Sequence, residues 1–435
     1  MSQLLCGAAE RVITPELGLD IPGYFFVRTA TGVKSDLYTQ AVVLSREEET
    51  LVVISMDILD FQAGFAKEIR KRLAEQIGVK PSSVMITATH AHTGQPTDYT
   101  GFCVKKNTRA MKRLANLTVE AVLEAYEKRR EARLGFGVGE EKGISFNRNF
   151  YMKDGSIKTN PGKRFPNDIV KPVSEIDHSV NVLRFDDEQG KTVAQIVNFA
   201  CHPDVVGGTE YCADYPGELR RVLKERFGQD SVLVYLNGCA GNINHIDAFR
   251  VAEGYRYPKD HYVTMGETLA KEVLRIHEGI RWTEDTELSA MNQSFRARRR
   301  QPTEEQLSWA REILRADAPG ESDLVYAKEW IYLHEHPMRY CNVEVQVLRI
   351  GDCALVGLPG EIYSDTGLAI KEISPFGRNM VAQLANGTVG YVVTEPCFTG
   401  GVYESKLARY NSSVYPEAAD RMVATAQKLM KKLRS

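Results

Sequence analysis

Several things this chain lacks narrow the field before any motif is read. No window approaches the roughly 18 consecutive apolar residues of a membrane-spanning helix. The N-terminal "MSQLLCGAAERVITPELG" has no cationic stretch leading into a long apolar one. An integral membrane segment and a secretory leader are therefore not expected, and the chain reads as cytoplasmic. Neither charge dominates: 55 Lys plus Arg stand against 57 Asp plus Glu, so there is no basic field to gather nucleic acid. The short run "RARRR" at 296–300 reads as a solvated face. Cysteines at 6, 103, 201, 212, 239, 341, 353 and 397 include no C-x-x-C pair. Spread through a long chain, they fit reduced thiols rather than a disulfide framework. No low-complexity linker interrupts the sequence, so one domain over 1–435 is expected.

The remaining composition is ordinary for a soluble globular protein, and its order is repetitive. "ETLVVISMDIL" (49–59) is a near-continuous apolar run, "FAKEIRKRLAEQIG" (65–78) has helical spacing ending at Gly78, and "VMITATHAH" (84–92) is apolar again. The pattern returns as "TVAQIVNFACHPD" (192–204), "YPGELRRVLKERFG" (215–228) and "SVLVYLNGCAGN" (231–242). Near the C-terminus "NVEVQVLRI" turns at Gly351 and Asp352 into "CALVGLPG", followed by the helical "EIYSDTGLAIKEI" (361–373). Strand-helix-strand units of this kind predict an α/β fold with a mixed, largely parallel sheet core. The segment 301–335 differs: Thr303, with Gln306 three residues on, opens a charged helical excursion.

The reactive residues fall where such strands end. His90 and His92 close the apolar run from 84, His202 follows the run from 193, "NGCAGN" follows the run from 231, and Glu361 follows the run from 353. Ligands of open α/β sheets bind outside the carboxyl ends of the strands, so these residues can converge. If the extended backbone continues through His92, alternation places His90 and His92 on one face. An isolated H-x-H serves equally as a turn. His90, His202 and Glu361 together make a two-histidine, one-carboxylate set of the kind that holds a catalytic zinc and leaves a position for water. His245 is a reserve candidate, whereas His178, His261, His277, His334 and His336 lie on stretches that suggest no metal contact. Cys201 reads as a small buried residue rather than a nucleophile.

The motifs "GAAERVITPELGLDIPGY" (7–24), "ITATHAHTGQP" (86–96), "FNRNF" (146–150), "NFACHPD" (198–204), "LNGCAGNIN" (236–244), "LPGEIYSD" (358–365) and "LANGTVGYVVTEPCFTGGVYE" (384–404) occur in the order seen in the catalytic domain of neutral/alkaline ceramidases. The chain resembles that family over nearly its whole length. The resemblance implies a zinc ion held by His90, His202, Glu361 and Tyr391. It also implies that His92 hydrogen-bonds the substrate carbonyl or the developing oxyanion, with Arg148 and Tyr403 beside it. Such donors act by stabilising charge that appears only in the transition state. Asp57 and Asp214 read as supporting carboxylates.

The chain departs from the family in two respects. The family's serine, in the segment aligned with "GNIN", corresponds to Asn244, and an amide is no nucleophile, so direct attack by metal-activated water is expected. The C-terminal immunoglobulin-like domain of ceramidases has no counterpart here, which points to a small N-acyl substrate more soluble than ceramide. The expected activity is hydrolysis of a linear amide. The alternatives are an ester hydrolase, a barrel-type amidohydrolase and a catalytically silent metal-containing binding module.

Overall fold

The computed structural model describes residues 3–97, 106–409 and 411–435; Cys103 lies outside them. One order of main elements recurs three times along the chain: three strands, a helix, a fourth strand and a closing helix. In the first unit, strands Leu5–Val12, Tyr38–Arg46 and Glu49–Met56 pair antiparallel. Helix Ala63–Ile77 then crosses back, so that Val84–Ala88 lies parallel to Glu49–Met56. In the second, Arg130–Glu140, Ser179–Asp187 and Thr192–Phe199 are antiparallel, and helix Asp214–Phe227 leads to Val232–Asn237, parallel to Thr192–Phe199. In the third, Leu288–Arg298, Tyr340–Ile350 and Cys353–Gly357 are antiparallel, and helix Ser364–Glu372 leads to the parallel strand Arg378–Ala382.

The first two units join edge to edge through Leu5–Val12 and Arg130–Glu140, and with the short strand Arg281–Thr283 beside Arg130–Glu140 they make a nine-stranded sheet; the third unit forms a four-stranded sheet. The mixed α/β fold expected from sequence is present. Within the two large sheets, however, parallel pairing is confined to the strands flanking a crossover helix, and antiparallel pairs fill the rest, so the sheets are mixed but not largely parallel. The reason is local. Where a two-residue turn such as Glu47 and Glu48 reverses the chain directly, with Glu47 at φ 54, neighbours must run antiparallel.

Strand Glu49–Met56 shows how the layers form. Alternation sends Leu51 and Val53 into the apolar layer between the two sheets, against a cluster that includes Leu348, Leu355 and Met380. Val52, Ile54 and Met56 point the other way, into the layer that includes Ile69, Leu73, Leu114 and Val122 of the covering helices. A strand buried on both faces has no polar side to show, which is why it reads as a continuous apolar run. The outer face of the smaller sheet is closed by helix Glu417–Arg434 through Met422, Leu429 and Met430. The result is a helix, sheet, sheet, helix sandwich.

The excursion of the third unit lies between its first two strands as helices Glu304–Ile313 and Glu321–Glu335. Its start is the expected capping box: Gln306 N donates to Thr303 Oγ1 over 3.2 Å, and Thr303 N donates to Gln306 Oε1 over 3.0 Å. Of the 296–300 run, Arg296 and Arg298 are exposed as expected, whereas Arg299 and Arg300 turn partly inward. Among the described residues no helix is long and apolar enough to cross a membrane.

Candidate metal centre

Each residue singled out for a metal follows the third or fourth strand of a unit, so the repeated fold delivers them to one end of the sandwich. Val84–Ala88 stops before the histidines. Thr89 N and His90 N donate to Met56 O and Ile58 O over 2.9 and 3.0 Å, and His90 takes φ 75. This left-handed turn, not strand alternation, directs both imidazoles inward, which corrects the sequence-based reason for their shared face. A non-glycine residue held at positive φ costs free energy that the surrounding packing must supply, a pattern concentrated at functional sites.

Glu361 and Tyr391 are direct partners in a two-residue parallel ladder, Glu361–Ile362 beside Tyr391–Val392. The Tyr391 hydroxyl is hydrogen-bonded to the Glu361 carboxylate. Gly360 makes that ladder possible, because it sits at φ 131 and a Cβ there would lie 2.5 Å from Gly390 O. Gly360→Ala is expected to destabilise the protein by about 1–3 kcal/mol and to weaken metal retention, as chemical denaturation and elemental analysis of the variant would show; wild-type values for both would remove this role. The Gln383 side chain ties the neighbouring loops together, its Oε1 accepting from Ala240 N and Ile362 N at 3.1 Å each.

His90, His92 and His202 offer ring nitrogens that all lie within 4.8 Å of one another. His90 Nε2 lies 3.0 Å from His202 Nε2, 3.4 Å from His92 Nε2 and 3.1 Å from Glu361 Oε2. His202 Nε2 is 3.7 Å from the same carboxylate oxygen. The opposite ring nitrogens reach backbone carbonyls: His90 Nδ1 is 2.8 Å from Leu59 O and His202 Nδ1 is 3.3 Å from Ala240 O. A carbonyl only accepts, so each Nδ1 carries the proton and each Nε2 presents a lone pair. Two lone pairs therefore face each other beside a carboxylate whose Oε2 receives no hydrogen bond from a described residue. Such a cluster is repulsive unless a metal ion, or a proton on His90 facing Glu361, sits among its atoms. Burial disfavours charge on all three rings and holds His92 and His202 well below the usual imidazole range, but on His90 the Glu361 carboxylate, together with Leu59 O and Asp60, more than offsets burial and raises the pKa. Histidine nitrogens and carboxylate or phenol oxygens, with ring N–H groups anchored on carbonyls, fit zinc.

The other expected residues surround this cluster. Arg148 Nε donates to Glu404 Oε1 over 2.5 Å and Nη2 to Gly241 O over 2.6 Å, while its guanidinium lies 5.3 Å from the Tyr391 ring centre. Asn149 Nδ2 donates to the same Glu404 oxygen over 3.0 Å. The Tyr403 ring meets Tyr391 edge-on at 5.9 Å. His245 stands apart from the three-histidine group, near Asp204, with Nδ1 buried and no hydrogen-bond partner among the described residues. The Cys201 thiol donates to Ile144 O over 3.4 Å, and burial pushes its pKa up, away from a thiolate. Asp57 is bound by Arg220 Nη2 and Tyr38 N, at 2.9 Å each. Asp214 accepts from Val205 N and Val206 N over 3.0 and 2.9 Å, fixing the turn after His202. Asn244 is fully engaged, giving Nδ2 to Asn160 Oδ1 over 2.8 Å and taking Ile246 N on Oδ1 over 2.9 Å.

Sequence reasoning missed Glu404, which sets Arg148, and a group around His92. Arg28 Nη2 donates to His92 O over 2.6 Å and its guanidinium lies 3.9 Å from the Tyr24 ring centre. The Tyr24 hydroxyl donates to Asp204 Oδ1 over 2.6 Å, and that oxygen is 3.6 Å from His92 Nδ1. Adjacency was the one available signal, since Glu404 follows Tyr403 and Asp204 closes "NFACHPD".

Residues 6–211 match the model for "Neutral/alkaline non-lysosomal ceramidase, N-terminal". Among solved structures, neutral ceramidase from Pseudomonas aeruginosa superposes with a TM-score of 0.77 at 18% identity, covering 99% of this chain and 75% of that one. A ceramidase complexed with C2 gives a TM-score of 0.76 at 17% identity, covering 100% of this chain and 76% of that one. No curated protein matches the chain. The family match is thus carried by residues 6–211, and the fold is that of the Pseudomonas aeruginosa neutral ceramidase over 99% of this chain.

Proposed function

We propose that this chain, acting as one catalytic unit over 1–435, is a zinc-dependent hydrolase of linear N-acyl amides. The observation that carries the reading is the pair of Nε2 lone pairs, His90 and His202, 3.0 Å apart beside an unsatisfied Glu361 oxygen. His90, His202, Glu361 and Tyr391 would hold the ion. Bound there, zinc would supply Lewis-acid activation of water, with roughly 10²–10⁴-fold help from positioned acid-base groups being usual for such chemistry.

The protein's own groups do the rest. His92, buried against the cluster and tethered through its backbone carbonyl to Arg28, points Nε2 toward the reacting carbonyl. Arg148 brings a fixed positive charge, held in place by Glu404, to where negative charge develops. Tyr403 offers a hydroxyl from beside Tyr391, whose ring it meets edge-on. Packing excludes bulk water, since His90, His92, His202 and Glu361 are each less than 10% exposed, and low local dielectric strengthens all of these interactions. Water attack without an acyl-serine stage follows from Asn244, whose amide is engaged and not nucleophilic. The cysteines among the described residues are free thiols, which supports a reducing, cytoplasmic setting.

Elemental analysis of the purified protein alongside Glu361→Ala tests the reading. About one zinc per wild-type chain and little in the variant, with cleavage of short to long N-acyl amides by the wild type, is expected. A wild type that neither contains zinc nor takes it up would refute the proposal.

A further inference from the structure

A cavity of about 330 Å³ opens where the helical excursion meets the segment that follows Tyr403. Four flat rings line it: Trp309 from helix Glu304–Ile313, Tyr326 and Trp330 from helix Glu321–Glu335, and Phe398. The two indoles lie 4.9 Å apart at 53°. Two cations join them. Arg300 lies 4.7 Å from the Phe398 ring centre and gives its hydrogen bonds to neutral oxygens, Ser405 O at 2.6 Å and Ser412 Oγ at 3.1 Å. Exposed Lys406 places Nζ 5.2 Å from the Tyr326 ring. Asp323 is the one acid among the described lining residues, which leaves the wall with a net positive charge.

The cavity is joined to the metal centre by aromatic contacts. Tyr326 packs on Phe25 at 5.6 Å, Phe25 on Tyr403 at 6.1 Å, and Tyr403 on Tyr391. The turn Tyr403–Ser405 contributes to both sites, with Tyr403 and Glu404 at the metal centre and Ser405 lining the cavity.

We propose that this cavity binds an aromatic ring bearing an anionic group, and, resting on the amidase reading above, that this ring is the end of the substrate remote from the scissile amide. The volume lies at the small end of the roughly 300–1,000 Å³ usual for ligand sites, which suits a compact ring and not a long alkyl chain. Flat aromatic walls favour a flat partner through stacking. Two cations against one acid in the wall select a negative substituent.

Tryptophan fluorescence tests this without turnover, because two of the chain's three tryptophans line the cavity. The third, Trp282, is stacked under Arg133 on the large sheet, and Trp309→Phe assigns the signal. Phenylacetate is expected to give a saturable change, with hexanoate and benzyl alcohol each binding about tenfold more weakly, and Lys406→Gln to weaken phenylacetate about three- to tenfold. Lys406 is exposed, so this variant should fold normally. With amide substrates, Lys406→Gln is expected to lower kcat/KM by a similar factor for an acyl group ending in an acidic ring and to leave a short linear acyl amide unchanged. No saturable response, equal binding of hexanoate and phenylacetate, or indifference to Lys406→Gln would overturn the proposal. Saturable binding in a protein that cleaves no amide would support the cavity and remove the hydrolase reading; amide cleavage without phenylacetate binding would do the reverse.

Discussion

His90→Ala is expected to lose metal and activity together, whereas His92→Ala is expected to keep metal and lose about 10²–10³ in kcat. The three imidazoles are nearly equidistant, so distance alone does not separate their roles. Their second nitrogens do. His90 and His202 each fix Nδ1 on a backbone carbonyl, the arrangement that orients a metal-ligating ring. His92 Nδ1 has no hydrogen-bond partner among the described residues and faces the Asp204 carboxylate at 3.6 Å. The Glu361 oxygen is also within ion-pair distance of His90 and His202. On these grounds the first histidine of H-x-H is assigned to the ion and the second to the substrate. Metal content and steady-state rates of the two variants check the division, and equal metal loss in both would place His92 among the ligands.

How much of this was legible in the sequence depended on whether a residue's role follows from its place on an element. His90, His202 and Glu361 each follow an apolar run, and the rule that ligands gather at strand ends was enough to group them. Tyr391 and Arg148 came only from the family resemblance, because a lone tyrosine in a loop and an arginine between two asparagines look like many others. Glu404 and Asp204 carried no signal beyond adjacency to a motif: each is an ordinary carboxylate until the fold brings Arg148 and Tyr24 to it from far along the chain. The crossover units were legible from their buried runs. The antiparallel strands before them were less so, since Arg130–Glu140 carries glycines where apolar side chains would mark a face, and those glycines admit the side chains of Ile276 and Ile280. The left-handed turn at His90 could not be read, because histidine, though enriched among non-glycine residues at positive φ, adopts it too rarely to announce it.

The buried pair of Arg148 and Glu404 should behave differently in stability and in rate. Arg148→Met is expected to destabilise the protein by about 3–5 kcal/mol, because it leaves the fully buried Glu404 carboxylate without its counter-charge. It should also lower kcat by about 10²-fold, since a positive charge beside Tyr391 is lost. Adding Glu404→Gln removes the stranded charge while keeping an oxygen and an amide for Asn149 and Thr159, which both contact that carboxylate. The double variant should therefore recover most of the stability and none of the rate. Urea unfolding and kcat on the same preparations separate the two effects. Recovery of rate along with stability would mean that Arg148 acts only by holding the fold. A double variant as unstable as Arg148→Met would locate the loss in the bond to Gly241 O, which ties Arg148 to the turn packed against the Glu361 strand.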